Sequence, residues 1–234
     1  MNKIIILDFG GQYCHLIARR IRDFGVHTEI IPSDISVKIL QSDKSIGGII
    51  LSGGARSVYE KNAPKFDKKI LNLNLPILGI CYGHQLIAHL MGGKVISGKS
   101  GEYGLMKLHI NNKEKILARY GKLKNVWMNH RDIIVQLPKF FISIANTEHS
   151  KIAVFANVKR KIFGVQFHPE VSHTENGDQI LKNFVFDICK CKKSWTSTLV
   201  AQNLIEETKK IIENKNAIIG LSGGVDSSVA ASLV

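Results

Sequence analysis

The sequence predicts an α/β fold in which helices cover both faces of a mostly parallel central sheet. Three observations support this fold class. Short runs that are apolar throughout, such as KIIIL and PILGI, are typical of strands buried on both faces of a parallel sheet. Amphipathic stretches alternate with these runs in the N-terminal part of the chain. Beyond Lys94 the pattern changes to short β-rich pieces, which indicates antiparallel strands added to the same domain.

The N-terminal part alternates predicted strands with predicted helices. A helix over residues 13–25, YCHLIARRIRDFG, follows the first strand and ends at Gly25, because glycine readily adopts the left-handed backbone of a helix end. A second helical pattern covers residues 65–74, KFDKKILNLN. The predicted strands are KIIIL (3–7), VHTEII (26–31), SIGGIILSGG (45–54) and PILGI (76–80).

The middle of the chain is predicted to contribute antiparallel strands. Residues 152–158 and 161–167 are both apolar and β-rich, and the polar pair Lys159 and Arg160 between them predicts a hairpin turn. The other β-rich pieces are LMKLHI (105–110), NVWM (125–128) and FFISIANTE (140–148).

The sequence divides into two predicted domains. A helix over residues 178–189 closes the first domain, which spans residues 1–190. Residues 191–234 contain a polar linker, an amphipathic helix over residues 199–213, and the segment AIIGLSGGVDSSVAASLV, which predicts a strand, a glycine loop and a helix start. Such a segment presents backbone N–H groups and a helix N-terminus to a phosphate. We therefore predict that the second domain is the truncated start of a phosphate-binding domain.

Composition and charge indicate a globular protein. The 234 residues are 44% hydrophobic and 22% charged, and no run approaches the roughly 18 apolar residues of a membrane span. The formal charge of +13 comes from scattered lysines rather than from a basic stripe, so we expect neither nucleic acid nor a membrane as partner. The N-terminus lacks the features of a signal peptide. We predict a cytoplasmic protein with four reduced cysteines and no metal site.

Cys81 is a candidate nucleophile. The segment GICYG places it between an apolar strand and a helix, with a glycine two residues before and two residues after it. This spacing matches the nucleophile elbow G-x-S-x-G with sulfur in place of oxygen, in which the glycines permit a sharp turn. The positive end of the helix favours a thiolate, and the N–H of Tyr82 is placed to donate to an oxyanion. The alternative is a buried structural cysteine in front of a helix.

His168 and Glu170, in GVQFHPE, are a candidate general base and its orienting carboxylate. Residues two apart in an extended segment project to the same side, and Pro169 favours an extended conformation at His168. A histidine oriented by a carboxylate can exchange a proton with a cysteine nucleophile. The alternative is a strand end with an exposed histidine and glutamate.

Gly54 is a second candidate oxyanion donor. The segment IILSGGA ends a buried strand in two glycines, and the carboxyl ends of neighbouring parallel strands meet at one edge of a sheet. The bare backbone there is expected beside the elbow, so the N–H groups of Gly54 and Tyr82 together predict an oxyanion hole. The alternative is an ordinary turn, because Ser-Gly-Gly is common in turns.

These segments together resemble the GMP synthetase family of class I glutamine amidotransferases. The amidotransferase half of the resemblance is carried by ILDFGGQYCHLIARRIRDFGV, IILSGG, GICYGHQ, GVQFHPEVSHT and FVFDICKC. The segment IIGLSGGVDSSVAASLV is similar to the start of the ATP pyrophosphatase domain of the same enzymes. The resemblance implies a flavodoxin-like α/β fold, followed by the truncated start of an α/β ATP pyrophosphatase domain.

The resemblance also implies roles for the matching residues. Cys81 corresponds to the nucleophile, His168 to the acid–base group and Glu170 to its orienter, with Gly54 and Tyr82 as the oxyanion donors. The residues that fall where related enzymes hold glutamine are Gln85 and Asn129. The loop that holds the phosphates of ATP corresponds to Ser222, Gly223, Gly224, Val225, Asp226, Ser227 and Ser228.

The implied reaction converts XMP to GMP with ATP, Mg and glutamine, and this chain is expected to be mainly the half that releases ammonia from glutamine through a cysteine thioester. That half is expected to need no cofactor, and XMP and ATP are partners of the full-length enzyme only. We expect a monomer for this chain and a homodimer for the full-length enzyme. The alternatives are a glutaminase for another ammonia acceptor, a γ-glutamyl peptidase, and a non-catalytic fragment that acts as a binding module.

Overall fold

A mixed sheet of nine strands organises the first unit of the computed structural model, which describes residues 2–213 and 215–233. This unit ends at Lys193, and a second unit begins at Ser194. The strands in chain order are β1 (Lys3–Asp8), β2 (Thr28–Pro32), β3 (Ile46–Leu51), β4 (Ile77–Ile80), β5 (Lys94–Ile110), β6 (Leu123–Gln136), β7 (Ile142–Asn146), β8 (Val154–Asn157) and β9 (Ile162–Val165). The helices that accompany them are α1 (Cys14–Asp23), α2 (Val37–Ser42), α3 (Tyr82–Leu90) and α4 (Gly177–Lys182).

The sheet joins a parallel half to an antiparallel half, in the spatial order β2-β1-β3-β4-β9-β8-β7-β5-β6. Strands β2, β1, β3, β4 and β9 run parallel to one another. Strand β8 pairs antiparallel with β9 through the predicted hairpin, and β7, β5 and β6 continue the antiparallel half. The predicted parallel sheet with antiparallel additions is therefore confirmed.

Two clusters of buried apolar side chains lie on opposite faces of this sheet. Successive residues of a strand point to opposite faces, so Ile4 of β1 belongs to one cluster and Ile5 to the other. Helices α1 and α4 contribute to the first cluster, and α2 and α3 contribute to the second. Burial on both faces explains why the central strands β3, β4 and β9 are apolar throughout.

Replacing Phe155 by alanine is expected to lower the free energy of unfolding by about 3–5 kcal/mol. Its ring is fully buried in β8, where it stacks on His84 at a centroid distance of 4.6 Å and meets Phe141 edge-on at 5.3 Å. Phe140 is the control, because it is 88% exposed and its replacement by alanine should cost less than about 0.5 kcal/mol. Urea unfolding followed by circular dichroism measures both variants, and equal losses would contradict the packing described here.

The helical segments of the first unit differ from the sequence-based prediction in two places. The stretch KFDKKILNLN forms only a 3₁₀ turn at Lys68–Asn72, because Asn74 adopts a left-handed φ of 57° and Pro76 cannot continue a helix. Helix α2 has no counterpart in the prediction, and the side chain of Ser36 caps it by accepting from the N–H of Lys38. The predicted helix over residues 178–189 is present as α4 and a π-helical turn that follows it directly.

The second unit contains helix α5 (Ser197–Ile212) and helix α6 (Val225–Leu233). The prediction of a strand over residues 217–221 is wrong, since these residues have no regular secondary structure and Ile218 is 99% exposed. A strand needs a neighbouring strand to satisfy its backbone, and none pairs with this segment among the described residues. The predicted helix that follows is present as α6, and its last residue, Val234, lies outside the described residues.

Candidate active site

The loops that follow β1, β3, β4 and β9 converge at one edge of the sheet. These strands are parallel neighbours, so their carboxyl ends meet where α/β folds bind ligands. The loops border a cavity of about 260 Å³. Its lining residues are Gly10, Gly11, Gln12, Tyr13, Gly53, Gly54, Ala55, Cys81, Asn129 and His168.

Cys81 occupies the sharp turn between β4 and α3. Its backbone has a φ of 51° and a ψ of −102°, a strained conformation for a residue with a side chain, and its N–H donates to the carbonyl oxygen of Val165 at 2.9 Å. Glycine is required at both Gly79 and Gly83, because a side chain at either position would collide with neighbouring backbone atoms. A Cβ on Gly79 would lie 2.5 Å from the carbonyl oxygen of Gly83, and a Cβ on Gly83 would overlap the carbonyl oxygen of Leu51. The turn has the shape that the G-x-C-x-G spacing predicts.

His168 and Glu170 form a buried pair in the segment after β9. Nδ1 of His168 lies 2.7 Å from Oε1 of Glu170, and both side chains are buried. The backbone of His168 is held on both sides, because its N–H donates to the carbonyl oxygen of Trp127 at 3.0 Å and its carbonyl accepts from the hydroxyl of Thr174 at 2.6 Å. The alternative of an exposed strand end is therefore excluded.

The pKa of His168 is raised well above its usual value. Burial alone would lower this pKa, but the negative charge of Glu170 and side-chain hydrogen bonds to Cys81 and Glu170 outweigh the desolvation. The surroundings of the ring therefore favour its protonated form. A protonated ring beside the sulfur stabilises negative charge on that sulfur.

The side chains of Cys81 and His168 both lie next to Gly53, which has no side chain to separate them. A Cβ on Gly53 would lie 3.2 Å from Cε1 of His168 and 3.8 Å from Cβ of Cys81. The ring of Tyr13 meets the imidazole of His168 edge-on at a centroid distance of 5.0 Å. The structure thus brings Cys81 and His168 together at the cavity, with Glu170 buried behind His168.

The three other cysteines do not line this cavity. Burial and the charge of Asp8 raise the pKa of Cys14 to about 12. Burial also raises the pKa of Cys191 to about 11 and that of Cys189 well above its usual value. At neutral pH these three thiols are protonated, and each is shielded by the protein.

Gly54 lines the cavity, and Tyr82 directly follows Cys81 in the elbow. The two residues are close neighbours, since a Cβ on Gly54 would lie 3.2 Å from Cγ of Tyr82. In the part of the chain that the structure describes, neither of these N–H groups donates a hydrogen bond, whereas the N–H of Gly83 donates to the carbonyl oxygen of Ser52 at 3.1 Å. Backbone donors without a partner are available to a ligand, and the prediction that these two form an oxyanion hole stays a prediction.

Comparison with known proteins identifies the family that has this fold and these motifs. Residues 5–188 match the family described as "Glutamine amidotransferase class-I". The chain belongs to this family. A solved amidotransferase structure from Thermotoga maritima, 19% identical, has the same fold with a TM-score of 0.60 over 99% of this chain and 96% of that one. The predicted family and its α/β fold are therefore confirmed.

Two relatives that match the whole of this chain carry the name GMP synthase. The chain is 47% identical to "GMP synthase (glutamine-hydrolyzing)" of Brachyspira hyodysenteriae and 50% identical to that of Caldanaerobacter subterraneus. Each match covers 100% of this chain and 45% of the relative, so the chain spans about half the length of these relatives. The solved structure of a candidate GMP synthase subunit from Thermoplasma acidophilum is 35% identical, with a TM-score of 0.71 over 87% of this chain and 98% of that one.

The two residues expected to hold glutamine lie in different surroundings in this amidotransferase. Asn129 is exposed and lines the cavity, and its carbonyl oxygen lies 3.8 Å from the Cys81 sulfur. Gln85 is buried, and its amide donates to the carbonyl oxygen of Asp132 at 2.8 Å and to Oε1 of Gln166 at 3.0 Å. Asn129 therefore reaches the cavity wall, while the amide of Gln85 is engaged inside the protein.

Three further residues of the amidotransferase site are not among those predicted from the sequence. Gln166 donates from Nε2 to the Cys81 sulfur at 3.7 Å, and Glu102 forms a buried pair with His130 at 2.9 Å. Gln166 lies two residues before His168, just as Glu170 lies two residues after it. The pattern that predicted the His168–Glu170 pair could therefore also have indicated Gln166. Glu102 and His130 face each other only through the register of β5 with β6, which no local pattern shows.

The predicted phosphate loop belongs to the second unit. Its hydroxyl groups bond within the loop: the N–H of Gly224 donates to Oγ of Ser222 at 3.3 Å, and the hydroxyls of Ser227 and Ser228 each donate to the carbonyl oxygen of Gly224 at 3.0 Å. Helix α6 begins at Val225, so Ser222, Gly223 and Gly224 precede its N-terminus and Val225, Asp226, Ser227 and Ser228 form its first turn.

The described residues lack two kinds of feature. Within residues 2–213 and 215–233, no three His, Cys, Asp or Glu side chains are grouped as ligands for a metal ion. No helix in these ranges combines the length and the apolar character that crossing a membrane requires.

Proposed function

We propose that this chain hydrolyses glutamine to glutamate and ammonia at Cys81, as the glutaminase part of a glutamine-hydrolysing GMP synthase. The observation that carries the proposal is the meeting of an elbow cysteine with a buried His168–Glu170 pair at one cavity. Membership of the class-I glutamine amidotransferase family supports glutamine as the substrate.

In the first half of the proposed reaction the Cys81 thiolate attacks the side-chain carbonyl carbon of glutamine. A C–S bond forms, and the carbonyl electron pair moves to the oxygen, which accepts from the N–H groups of Tyr82 and Gly54. Protonated His168 then gives its proton to the amide nitrogen. The C–N bond breaks, ammonia leaves, and a γ-glutamyl thioester remains.

In the second half, neutral His168 takes a proton from water, and the resulting hydroxide attacks the thioester carbon. The C–S bond breaks and its electron pair returns to sulfur, so glutamate leaves and the thiolate beside a protonated histidine is restored. Glu170 orients the ring and stabilises its positive charge throughout. Asn129 is proposed to contact the bound glutamine from the cavity wall.

The proposed acceptor of the ammonia is XMP activated by Mg-ATP. Support comes from relatives 46–50% identical that are named GMP synthase and match 99–100% of this chain, including its second unit. We infer that this unit opens an ATP pyrophosphatase domain. The N–H groups of residues 222–228 would bind phosphates of ATP there, because they precede or begin helix α6. ATP, Mg and XMP are then substrates of the whole enzyme.

Glutamine labelled with ¹⁵N in its side-chain amide tests both parts of this proposal. The purified chain is expected to release glutamate and labelled ammonia in equal amounts without ATP, and the absence of release would contradict the glutaminase activity. With XMP, Mg-ATP and the ATP pyrophosphatase part of a GMP synthase, labelled GMP is expected even in excess unlabelled ammonium. Glutamate release without labelled GMP would contradict XMP as the acceptor.

A diazo-ketone analogue of glutamine is expected to alkylate Cys81 at least about tenfold faster than any other cysteine. Cys81 lines the cavity, whereas burial raises the pKa of Cys14, Cys189 and Cys191 and keeps these thiols protonated. Peptide mass spectrometry over a time course measures the four rates, and added glutamine should slow only the labelling of Cys81. Equal labelling of all four cysteines would refute this assignment.

A further inference from the structure

We propose that Gln166 is a further catalytic residue of this site, whose side-chain N–H holds the Cys81 sulfur as a thiolate, and that Gln85 fixes its orientation. This inference rests on the proposed function, because it adds a role in the same reaction. Gln166 is fully buried, and its Nε2 lies 3.7 Å from the Cys81 sulfur. A buried amide can be placed with either its oxygen or its nitrogen toward a neighbour, so what sets the orientation here decides the chemistry.

The orientation of the Gln166 amide follows from the backbone carbonyl of Asp132, which can only accept a hydrogen bond. The backbone carbonyl of Asp132 has no hydrogen to give, so the atom of Gln85 that lies 2.8 Å from it must be the NH₂ group. That same NH₂ group lies 3.0 Å from one terminal atom of Gln166, which must therefore be the oxygen. The other terminal atom of Gln166 is then the NH₂ group, and it faces the sulfur.

The carbonyl of Asp132 is itself fixed by a second donor, His130. Nδ1 of His130 lies 3.0 Å from this carbonyl, and Nε2 lies 2.9 Å from one carboxylate oxygen of Glu102. The hydroxyl of Thr147 donates to the other carboxylate oxygen at 2.6 Å. Burial would raise the pKa of Glu102, but its hydrogen bonds to His130 and Thr147 and the charge of His130 lower it. These two contacts of the ring hold the imidazole of His130 against the carbonyl.

A donor in front of the sulfur favours the thiolate over the thiol. A hydrogen bond to the charged form of a group stabilises that form, and bonds with an ionised partner are the stronger ones. The carbonyl oxygen of Asn129, 3.8 Å from the sulfur, is an acceptor and favours the thiol, so the N–H of Gln166 opposes it. With the amide reversed, both neighbours would be acceptors, and the thiol would be favoured over the thiolate.

The Gln166→Met variant tests the donor, because methionine has a similar length without an N–H group. Alkylation of Cys81 by iodoacetamide is expected to become about tenfold slower at pH 7, with the midpoint of its pH profile moved to higher pH. Gln85→Met should change both quantities in the same direction, by less. The control is Gln179→Met, which removes an amide that donates to Asn183 at 2.7 Å, away from the sulfur, and should leave both unchanged.

These variants leave the titratable groups around the sulfur in place. A changed pH profile of Cys81 alkylation therefore measures the effect of the removed amide. The groups are His168 with Glu170 behind it, Tyr13 from the loop after β1, Tyr82 of α3, and Asp132, His130 and Glu102 of β5 and β6. An unchanged midpoint in a folded Gln166→Met variant would overturn the proposal. If that variant does not fold by circular dichroism, an unchanged midpoint in Gln85→Met overturns it.

The alkylation assay uses no glutamine, which separates this inference from the proposed function. A wild-type protein that does not hydrolyse glutamine, but whose Gln166→Met variant shows the slower alkylation, would contradict the function and support the role of the amide. A wild-type protein that hydrolyses glutamine with no change in the alkylation of either variant would support the function and overturn the role of the amide.

Discussion

Replacement of Cys81 by alanine is expected to lower glutamine hydrolysis by at least about 10⁴-fold, to the background rate. The proposed mechanism passes through a thioester on this sulfur, and no other cysteine lines the cavity. Without the sulfur, the oxyanion donors and His168 have no covalent intermediate to stabilise or protonate. Glutamate release, coupled to glutamate dehydrogenase, measures the loss.

The matched control for this experiment is Cys191→Ala. Cys191 and Cys81 are both 6% exposed, so removing either sulfur leaves a comparable small void, but Cys191 lies away from the cavity. Cys191→Ala is expected to keep glutamine hydrolysis within about twofold of wild type, since surface and small core changes away from a site rarely affect it. Hydrolysis by Cys81→Ala above about 1% of wild type would refute the thioester mechanism.

The parallel half of the sheet and the elbow could be predicted from the sequence because both depend on local patterns. Buried parallel strands are apolar throughout, so each stands out as a run, and the chain order of strand and helix then implies where the loops meet. The turn at Cys81 depends on Gly79 and Gly83 within five residues of chain. The His168–Glu170 contact joins residues two apart in the chain, so it is also local, although residues 169 and 170 form a turn rather than a strand.

The antiparallel half could not be predicted in the same detail, because its register is a long-range property. Strand β5 spans 17 residues, although GKSGEYG within it has the composition of a turn. A register shift between Ser97 and Glu102 decides that Glu102 faces His130 on β6. Moving that shift by one residue would turn Glu102 to the other face of the sheet. The network behind Cys81 therefore became visible only with the structure.

The predicted strand over residues 217–221 failed for a related reason. Its apolar residues have high strand propensity, but that propensity expresses packing against neighbours rather than a preference of the backbone itself. No strand of the described residues pairs with this segment, and Ile218 and Leu221 are exposed. The apolar composition of residues 217–221 indicates that they could form a strand, but it does not indicate whether a neighbouring strand is present.

His168→Ala is expected to abolish turnover, again a loss of at least about 10⁴-fold. The variant removes the group that gives a proton to the departing ammonia and later takes one from water, and no other titratable side chain among the described residues is hydrogen-bonded to the Cys81 sulfur. The control is His89→Ala. It removes an exposed histidine from helix α3, which follows the elbow, and should not alter the rate.

Glu170→Gln is expected to cost less, about 10²-fold, because Glu170 orients the ring and does not transfer the proton. It should also change the pH dependence of kcat/KM. The charge of Glu170 is one cause of the raised pKa of His168, so its removal lowers that pKa. Protonated His168 is required for ammonia to leave, and therefore the alkaline limb of the profile should move to lower pH. A Glu170→Gln variant slower than His168→Ala, or an alkaline limb that stays in place or moves to higher pH, would show that Glu170 does not hold the proton on His168.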